Sequence, residues 1–272
     1  MRCECCGSVM VKLNDWIMTC RDCGFQSSTL EPAEGTGIPG LEDLRRENFK
    51  RLLDRIEAHK PLKNARVLEV GSAWGWFLEA AAERGAVVQG IEPEKANADL
   101  ARTKGLSVES GFFPNDLMDR GPFDIIVFND VFEHIPSPSK IIQDVEALLK
   151  PNGLAVFNYP SSKGMLFRIA NLLSSAGLPG PLARLWQVGL PSPHISYFSA
   201  NNLNGLVQRN TKMIRIDQFP LKTVSRVNLR GRIGASHLGI KGLVLYLSIW
   251  LLSFVLPILP SDIEVSIFRT RS

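Results

Sequence analysis

The sequence predicts an α/β protein, a doubly wound and mostly parallel seven-stranded sheet preceded by a small cysteine-rich ribbon. Three observations predict it. From residue 61 onward, short apolar runs alternate with helical patterns, the alternation that right-handed strand–helix–strand crossovers produce. The last two apolar runs, 213–219 and 263–269, can close the sheet as an antiparallel pair. All five cysteines of the 272-residue chain fall within its first 23 positions.

Cys3-x-x-Cys6-Gly7 and Cys20-x-x-Cys23-Gly24 are separated by thirteen residues. This is the spacing of a four-thiolate zinc ribbon, in which each pair closes a knuckle and each glycine relieves the turn after it. Structural zinc on Cys3, Cys6, Cys20 and Cys23 is the expectation, with iron in the same cage as an alternative. A disulfide framework would need a secreted chain. Met1-Arg2-Cys3 opens without an apolar leader, so a cytoplasmic protein is expected instead. Cys5 is the spare thiol, and spacing alone leaves its exchange with Cys3 or Cys6 open.

Residues 25–40 are rich in Gly, Pro, Ser and Thr and lack periodicity, as a linker does. Leu41, Leu44, Phe49, Leu52, Leu53 and Ile56 then recur at helical spacing until Pro61. Strands follow at 66–70, 87–91, 124–129, 154–159, 213–219 and 263–269, with a weaker one at 106–109; helices fill 77–84, 95–104 and 139–150. The expected organisation is a ribbon at 1–30, a linker and leading helix at 31–60, and a domain at 61–272 with an apolar and basic insertion at 221–260.

Open parallel sheets bind ligands at the carboxyl ends of their strands, and the most specific residues sit there. Strand 66–70 runs into Gly71-Ser72-Ala73-Trp74-Gly75, a small-residue turn at a helix start where backbone and free N–H groups can approach a ligand. The next strand ends in Glu92, 17 residues after Gly75, where a carboxylate can accept both hydroxyls of an adenosine ribose. Further on stand Asn129-Asp130-Val131-Phe132-Glu133-His134-Ile135 and the turn Leu148-Leu149-Lys150-Pro151-Asn152-Gly153.

With these residues the chain resembles the class I S-adenosylmethionine-dependent methyltransferases, over roughly residues 41–220 and the last strand. The family's acidic-x-Gly-x-Gly-x-Gly loop corresponds to Glu69-Val70-Gly71-Ser72-Ala73-Trp74-Gly75, with Ala73 replacing one glycine. The resemblance implies a Rossmann-like sheet and S-adenosylmethionine as cofactor. Its methionine part would be lined by Gly71, Ser72, Ala73 and Gly75, its ribose held by Glu92, and its cradle ordered by Glu69 and Asn129. A dehydrogenase could share the glycine turn and the ribose acid, but purely parallel dinucleotide folds lack the closing antiparallel pair.

Methyl transfer from a sulfonium is an in-line displacement, so the protein aligns the reactants and can take a proton from the acceptor. Asp130, Glu133, His134 and His194 are the candidate bases. His134 titrates in a suitable range, and its alternative role is a hydrogen bond that shapes the loop. His194 lies in Pro191-Ser192-Pro193-His194-Ile195-Ser196-Tyr197, a segment resembling one after the fifth strand of several small-molecule methyltransferases. His59 and His237 suit solvated roles; Trp74 and Trp76 either flank the cofactor or fill the core.

The acceptor is read from what surrounds these motifs. No Asn/Asp-Pro-Pro-aromatic run follows the fourth strand, and no cysteine lies outside the ribbon for thiolate-adduct chemistry. Composition is that of a globular chain, 45% hydrophobic and 21% charged. Charge is uneven, with 10 Lys+Arg against 3 Asp+Glu in residues 201–272. Lys222, Arg226, Arg230, Arg232 and Lys241 precede seventeen uncharged residues at 243–259, too short and too constrained by the returning last strand to span a bilayer. An in-plane anchor on an anionic membrane is expected, and a buried helix is its alternative. A second apolar face at 165–173 could form a lid. A small or lipid-linked acceptor follows, a saccharide on a carrier or an isoprenoid-type molecule, methylated at a hydroxyl oxygen. Two other readings stand: an rRNA guanine methyltransferase with a zinc ribbon, and a non-catalytic ribbon on a methyltransferase scaffold.

Overall fold

The computed structural model describes residues 1–31, 42–119, 121–224 and 258–271, and between them Leu243, Tyr246, Leu247, Trp250, Leu251 and Ser253. The greater part of the expected linker, His237, four of the five C-terminal cations and most of the 243–259 run lie outside the described residues.

The N-terminal residues form an antiparallel meander of β1 (Met10–Lys12), β2 (Ile17–Cys20) and β3 (Gln26–Ser28), with one cysteine pair before β1 and the other at the end of β2 and in the turn that follows it. α1 (Glu42–Glu57) buries Leu44, Phe49, Leu52, Leu53 and Ile56, the stripe that its spacing predicts. β4 (Arg66–Val70), α2 (Trp76–Ala82), β5 (Val87–Glu92), α3 (Lys95–Thr103), β6 (Val108–Ser110), β7 (Phe123–Asn129), α4 (Pro138–Leu148) and β8 (Leu149–Pro160) then alternate. α5 (Met165–Ser175), α6 (Gly180–Leu185), the two-residue β9 (Ser196–Tyr197) and α7 (Ala200–Asn210) precede β10 (Ile214–Pro220) and β11 (Ile263–Arg269).

The large sheet has the order β10-β11-β8-β7-β4-β5-β6. It is parallel from β8 to β6, and β11 lies antiparallel between β8 and β10. Winding reverses between β4 and β7, so their carboxyl ends open a crevice. Period-two alternation divides the core. Val67, Ile125, Val127 and Val156 face α1, α2 and α3, whereas Leu68, Ile126, Phe128 and Phe157 face α4, α7 and the ribbon.

Four features depart from the sequence expectation. β8 starts at Leu149, because Leu149 pairs with Phe123 and Gly153 N–H donates to Thr270 Oγ1 at 2.9 Å, which draws the expected turn into the sheet. α7 has a clear apolar face of Leu203, Leu206 and Val207 that the sequence reading passed over. His59 bonds Asp217 Oδ2 at 2.9 Å and thereby ties the end of α1 to β10, rather than being solvated. The ribbon is also knitted into the rest of the chain. β3 pairs with β9, so the small sheet has the order β1-β2-β3-β9, and Cys3, Cys5, Cys20 and Phe25 share a core with the sheet.

α5 has no cap of its own at Gly164; Asp262 Oδ1, from the approach to β11, accepts from the N–H groups of Leu166 and Phe167 at 2.8 and 3.2 Å. This cap in trans satisfies two of the free donors of the first turn and pins the helix to the sheet edge. Asp262→Ala should lower stability by about 1 kcal/mol and speed hydrogen exchange at the start of α5, measured by mass spectrometry, without loosening α1.

Candidate active site

The turn after β4 holds three successive left-handed residues at alternate positions: Gly71 at φ +70°, Ala73 at +45° and Gly75 at +79°. Gly71 is required on space as well as conformation, because a Cβ there would come within 2.5 Å of Val131 Cγ2. Ala73 carries the left-handed strain of a non-glycine residue, and its N–H is fixed by a 2.8 Å bond to Glu92 Oε2. Glu92 Oε1 accepts from Glu94 N at 3.0 Å. Burial pushes the Glu92 carboxyl up and these backbone donors pull it down, so the acid at the end of β5 orders the turn of β4.

Inside the crevice Asn129 Nδ2 donates to Glu69 Oε1 at 2.8 Å. Burial raises the Glu69 carboxyl to about 8, with the Asn129 bond opposing. Glu69 Oε2, Ser72 Oγ and Asn129 Oδ1 are buried and have no hydrogen-bond partner among the described residues. Three orphaned polar atoms on one cradle are a cost that a polar ligand would remove. Their residues line a narrow cavity together with Trp74, Trp76 and Arg45. Both tryptophans line the cradle, their rings 4.7 Å apart, and Trp76 also packs against the core on the α1–α3 side of the sheet. Arg45 was not singled out from sequence. It lies one turn before Phe49 on α1 and is, among the described residues, the only cation lining this cavity, and that pairing of an arginine with the buried stripe was the available signal.

The acceptor-side candidates converge just beyond. Asp130, at φ +53°, faces Arg45 at 3.8 Å and leads into a 3₁₀ turn, Phe132–His134. The ligating atoms of Glu133, His134 and His194 all lie within 4.8 Å of one another. The two histidines nevertheless differ. His194 Nδ1 is 3.2 Å from Tyr197 Oη, which itself donates to the Leu185 carbonyl, and Nε2 is 2.9 Å from the Gln187 amide nitrogen. The consistent assignment places the His194 proton on Nδ1 and leaves Nε2 accepting from Gln187, so both nitrogens are in use. Burial, with the His134 ring alongside, lowers His194 to about 3.

His134 has one nitrogen free. Its Nδ1 lies 2.9 Å from the Pro193 carbonyl and 3.2 Å from Ser192 Oγ; the carbonyl accepts only from a protonated Nδ1, which leaves a lone pair on Nε2, 3.9 Å from Glu133 Oε1. Burial lowers His134, with the Pro193 bond and the Asp130 charge opposing. Glu133 is raised well above the usual carboxylate range by burial and then by Asp130, and its Oε2 has no partner among the described residues. Glu133, pushed toward its neutral form, beside a His134 ring with a lone pair on Nε2 makes a site that can take up a proton.

At the ribbon, the sulfurs of Cys3, Cys6, Cys20 and Cys23 lie within 4.8 Å of one another, with Cys3–Cys23 at 3.5 Å and Cys6–Cys20 at 3.4 Å. These separations exceed a disulfide bond and approach the edge of about 3.8 Å that Zn–S bonds of about 2.3 Å give a tetrahedron. The four-thiolate set therefore fits a tetrahedral ion. Cys5 is buried outside the quartet.

A crevice at the switch point, a glycine turn and an acid on the next strand are the parts of a nucleoside-bearing cofactor site. The profile of a family described as a methyltransferase domain matches residues 41–210. The chain belongs to the S-adenosylmethionine-dependent methyltransferases. This methyltransferase is 34% identical over 108 residues to the ubiquinone biosynthesis O-methyltransferase of Histophilus somni, covering 36% of this chain and 45% of that protein. It is 38% identical over 110 residues to the protein of that name from Xylella fastidiosa, covering 37% and 44%. It thus spans less than half the length of these curated relatives. Among solved structures, it is similar to magnesium protoporphyrin IX methyltransferase of Synechocystis with bound SAH, at a TM-score of 0.55 and 14% identity over 88% of this chain and 90% of that one. A SAM-dependent methyltransferase of Archaeoglobus fulgidus matches at a TM-score of 0.51 and 16% identity over 85% and 97%. Both show the methyltransferase fold.

The methyltransferase turn makes opposite demands at neighbouring positions. Gly71→Ala should cost about 2 kcal/mol or more through its clash with Val131 and its positive φ. Ala73→Gly should gain up to about 1 kcal/mol by relieving a left-handed alanine. Urea unfolding of the two variants checks both signs.

Proposed function

We propose that this protein transfers a methyl group from S-adenosylmethionine to a hydroxyl oxygen of a small or lipid-linked acceptor, working against a membrane surface. The carrying observation is the His134 ring, anchored through Nδ1 on the Pro193 carbonyl with Nε2 unengaged at the edge of the cofactor cradle. The cofactor supplies an electrophilic methyl group on a sulfonium. Glu92 would hold the ribose through its remaining lone pairs, the 71–75 turn would line the methionine part, and Arg45 would pair with a carboxylate there. Ser72 and Asn129 would offer the orphaned atoms. His134 Nε2 would take up the proton of the acceptor hydroxyl as that oxygen is methylated. His194 orients this half of the site through Tyr197 and Gln187 rather than acting as the base.

Oxygen as the methylated atom is supported by a neutral histidine with an open lone pair and by the O-methyltransferase names of the relatives. An apolar acceptor is supported by surface chemistry. Leu243, Leu247 and Leu251 have helical backbone, recur every four residues and are exposed, as are Ile169 and Leu172 on α5. No helix among the described residues is long and apolar enough to cross a membrane, which suits attachment in the plane of the interface. Zinc held by Cys3, Cys6, Cys20 and Cys23 is the structural ion of the ribbon. Recognition of RNA leaves the exposed leucine row without a use, and a non-catalytic scaffold leaves the His134 lone pair without one.

Glu92→Ala should weaken S-adenosylmethionine by roughly ten-fold to a hundred-fold in calorimetry, since it removes charge-assisted bonds worth about 1.5–3 kcal/mol. His134→Gln should keep that affinity within about two-fold yet slow transfer of labelled methyl groups to a lipid extract by roughly 10²–10⁴. Because the folded His134 titrates below its ordinary range, the rate should stay level through neutral pH and fall only below that range. Undiminished transfer by His134→Gln would exclude it as the base.

Membrane attachment is tested on phosphatidylglycerol vesicles. Leu247→Ser with Leu251→Ser should cut binding by about ten-fold or more even in high salt, where cation contributions are screened and apolar insertion persists. Equal binding by the variant and the parent would remove the membrane from this proposal.

A further inference from the structure

The ribbon reaches the acceptor half of the site from two sides, through contacts that cysteine chemistry does not need. On one side, Ser28 N–H donates to the Ile195 carbonyl at 3.0 Å and Ser28 Oγ donates to the His194 carbonyl at 3.0 Å. The pairing continues through β3 and β9, with Ser27 opposite Ser196 and Gln26 opposite Tyr197. On the other side, Glu4, between the first two cysteines, accepts from Ser139 N at 3.0 Å and caps α4, whose own N-cap residue Ser137 makes no side-chain bond. His134 sits between these two attachments. Its ring is held by the carbonyl of Pro193, and Ile195 N–H reaches back to the Glu133 carbonyl at 2.9 Å.

Packing follows the same route. Phe25 packs tilted against Phe198 with ring centroids 5.1 Å apart, and Trp16 meets Trp186 edge-on at 5.8 Å. Ile17 is fully buried in a cluster with Phe167, Trp186 and Tyr197, which belong to the cover formed by α5 and α6 and to β9. Arg209 on α7 donates to the Cys6 carbonyl at 3.2 Å. By contrast, no ribbon residue lines the cofactor cavity.

We propose that the ribbon is a positioning element of the reaction: Ser28, carried on β3 by the cysteine knuckles, fixes the 193–197 segment so that the Pro193 carbonyl holds the His134 ring in one tautomer. The ribbon thereby sets the acceptor half of the site and leaves the cofactor half to the large sheet. Ser28 is the positioning residue, and it acts through Pro193 on His134. This rests on the reading of His134 as the base, but its consequence for the ring is measurable without any transfer reaction.

The test reads ring nitrogens of the full-length, metal-loaded protein labelled with ¹⁵N-histidine, at a mildly alkaline pH where the rings are neutral. The chain has only four histidines, and His134→Gln assigns the relevant signals. The parent should show His134 protonated on Nδ1. Ser28→Ala should shift its tautomer ratio toward Nε2–H by roughly five-fold, the effect of one lost hydrogen bond, and Ser28→Thr should restore the parent pattern. Cys20→Ser, with its metal loss verified by elemental analysis, should shift it further while S-adenosylmethionine affinity stays within about two-fold. Where Cys20→Ser does not fold, the comparison of Ser28→Ala with Ser28→Thr decides. An unchanged His134 pattern in Ser28→Ala would overturn the proposal, and so would an equal loss of cofactor affinity. Failure of His134→Gln to slow transfer would instead overturn the base assignment and leave the tautomer result standing.

Discussion

Four carboxyl groups meet at the carboxyl ends of β4, β5 and β7, and the site depends on how their mutual repulsion is resolved. Glu69, Glu92, Asp130 and Glu133 are gathered there, and among the described residues Arg45 is the one cation that lines the cavity. Burial pushes all four acids toward their neutral forms, and each is opposed differently. Glu92 is pulled back by the two backbone N–H groups it accepts, and Asp130 by Arg45. Glu69 is opposed mainly by its bond from Asn129, and Glu133 is pushed further by Asp130. Glu92 and Asp130 thereby shape the turn and face the cation, while Glu69 and Glu133 each keep one oxygen without a partner among the described residues. A methyl donor bearing a sulfonium, an ammonium and a carboxylate suits such a graded field better than a uniformly charged one.

The sheet and the cofactor half of this arrangement were legible in the sequence because their signals are local. Strand, turn and helix start are contiguous at 66–77, and Glu92 ends the very next strand, so spacing alone places the acid against the turn. The closing pair of β10 and β11 was also legible, since the last two apolar runs of the chain can close the sheet as an antiparallel pair. Ala73 read as a mild departure from glycine. Its φ of +45° makes it a strained residue instead, which only the backbone could reveal.

The acceptor half was legible only as a list of residues. His134 and His194 look alike as letters, and their difference lies in partners 3 to 59 positions away: Gln187 and Tyr197 for one, Pro193 and Ser192 for the other. Arg45 could not be placed because its target, Asp130, is supplied by a different part of the chain. The ribbon read as a self-contained knuckle, since cysteine spacing reports on metal coordination and is silent about what the strands between the cysteines touch. β9 is two residues long, too short for any periodicity, and its partner lies about 170 residues earlier in the chain.

The two halves of the site thus differ in how they are built, and that difference bears on what can vary. The cofactor cradle is a property of adjacent parallel strands and is shared by any chain that keeps their ends. The acceptor side is assembled from a cysteine ribbon, a capped α5 and the segment re-entering at Asp262, which are insertions relative to the alternating sheet. Met165 N–H bonds the Pro260 carbonyl, so α5 begins where the chain rejoins the fold after the 243–259 run. Exposed Ile169 and Leu172 on that cover and the exposed leucine row preceding the junction are therefore linked through one anchoring point. A disturbance of the apolar run can reach α5 through Asp262 without touching the methyl donor, which is the coupling that an enzyme drawing its acceptor from a lipid surface would need.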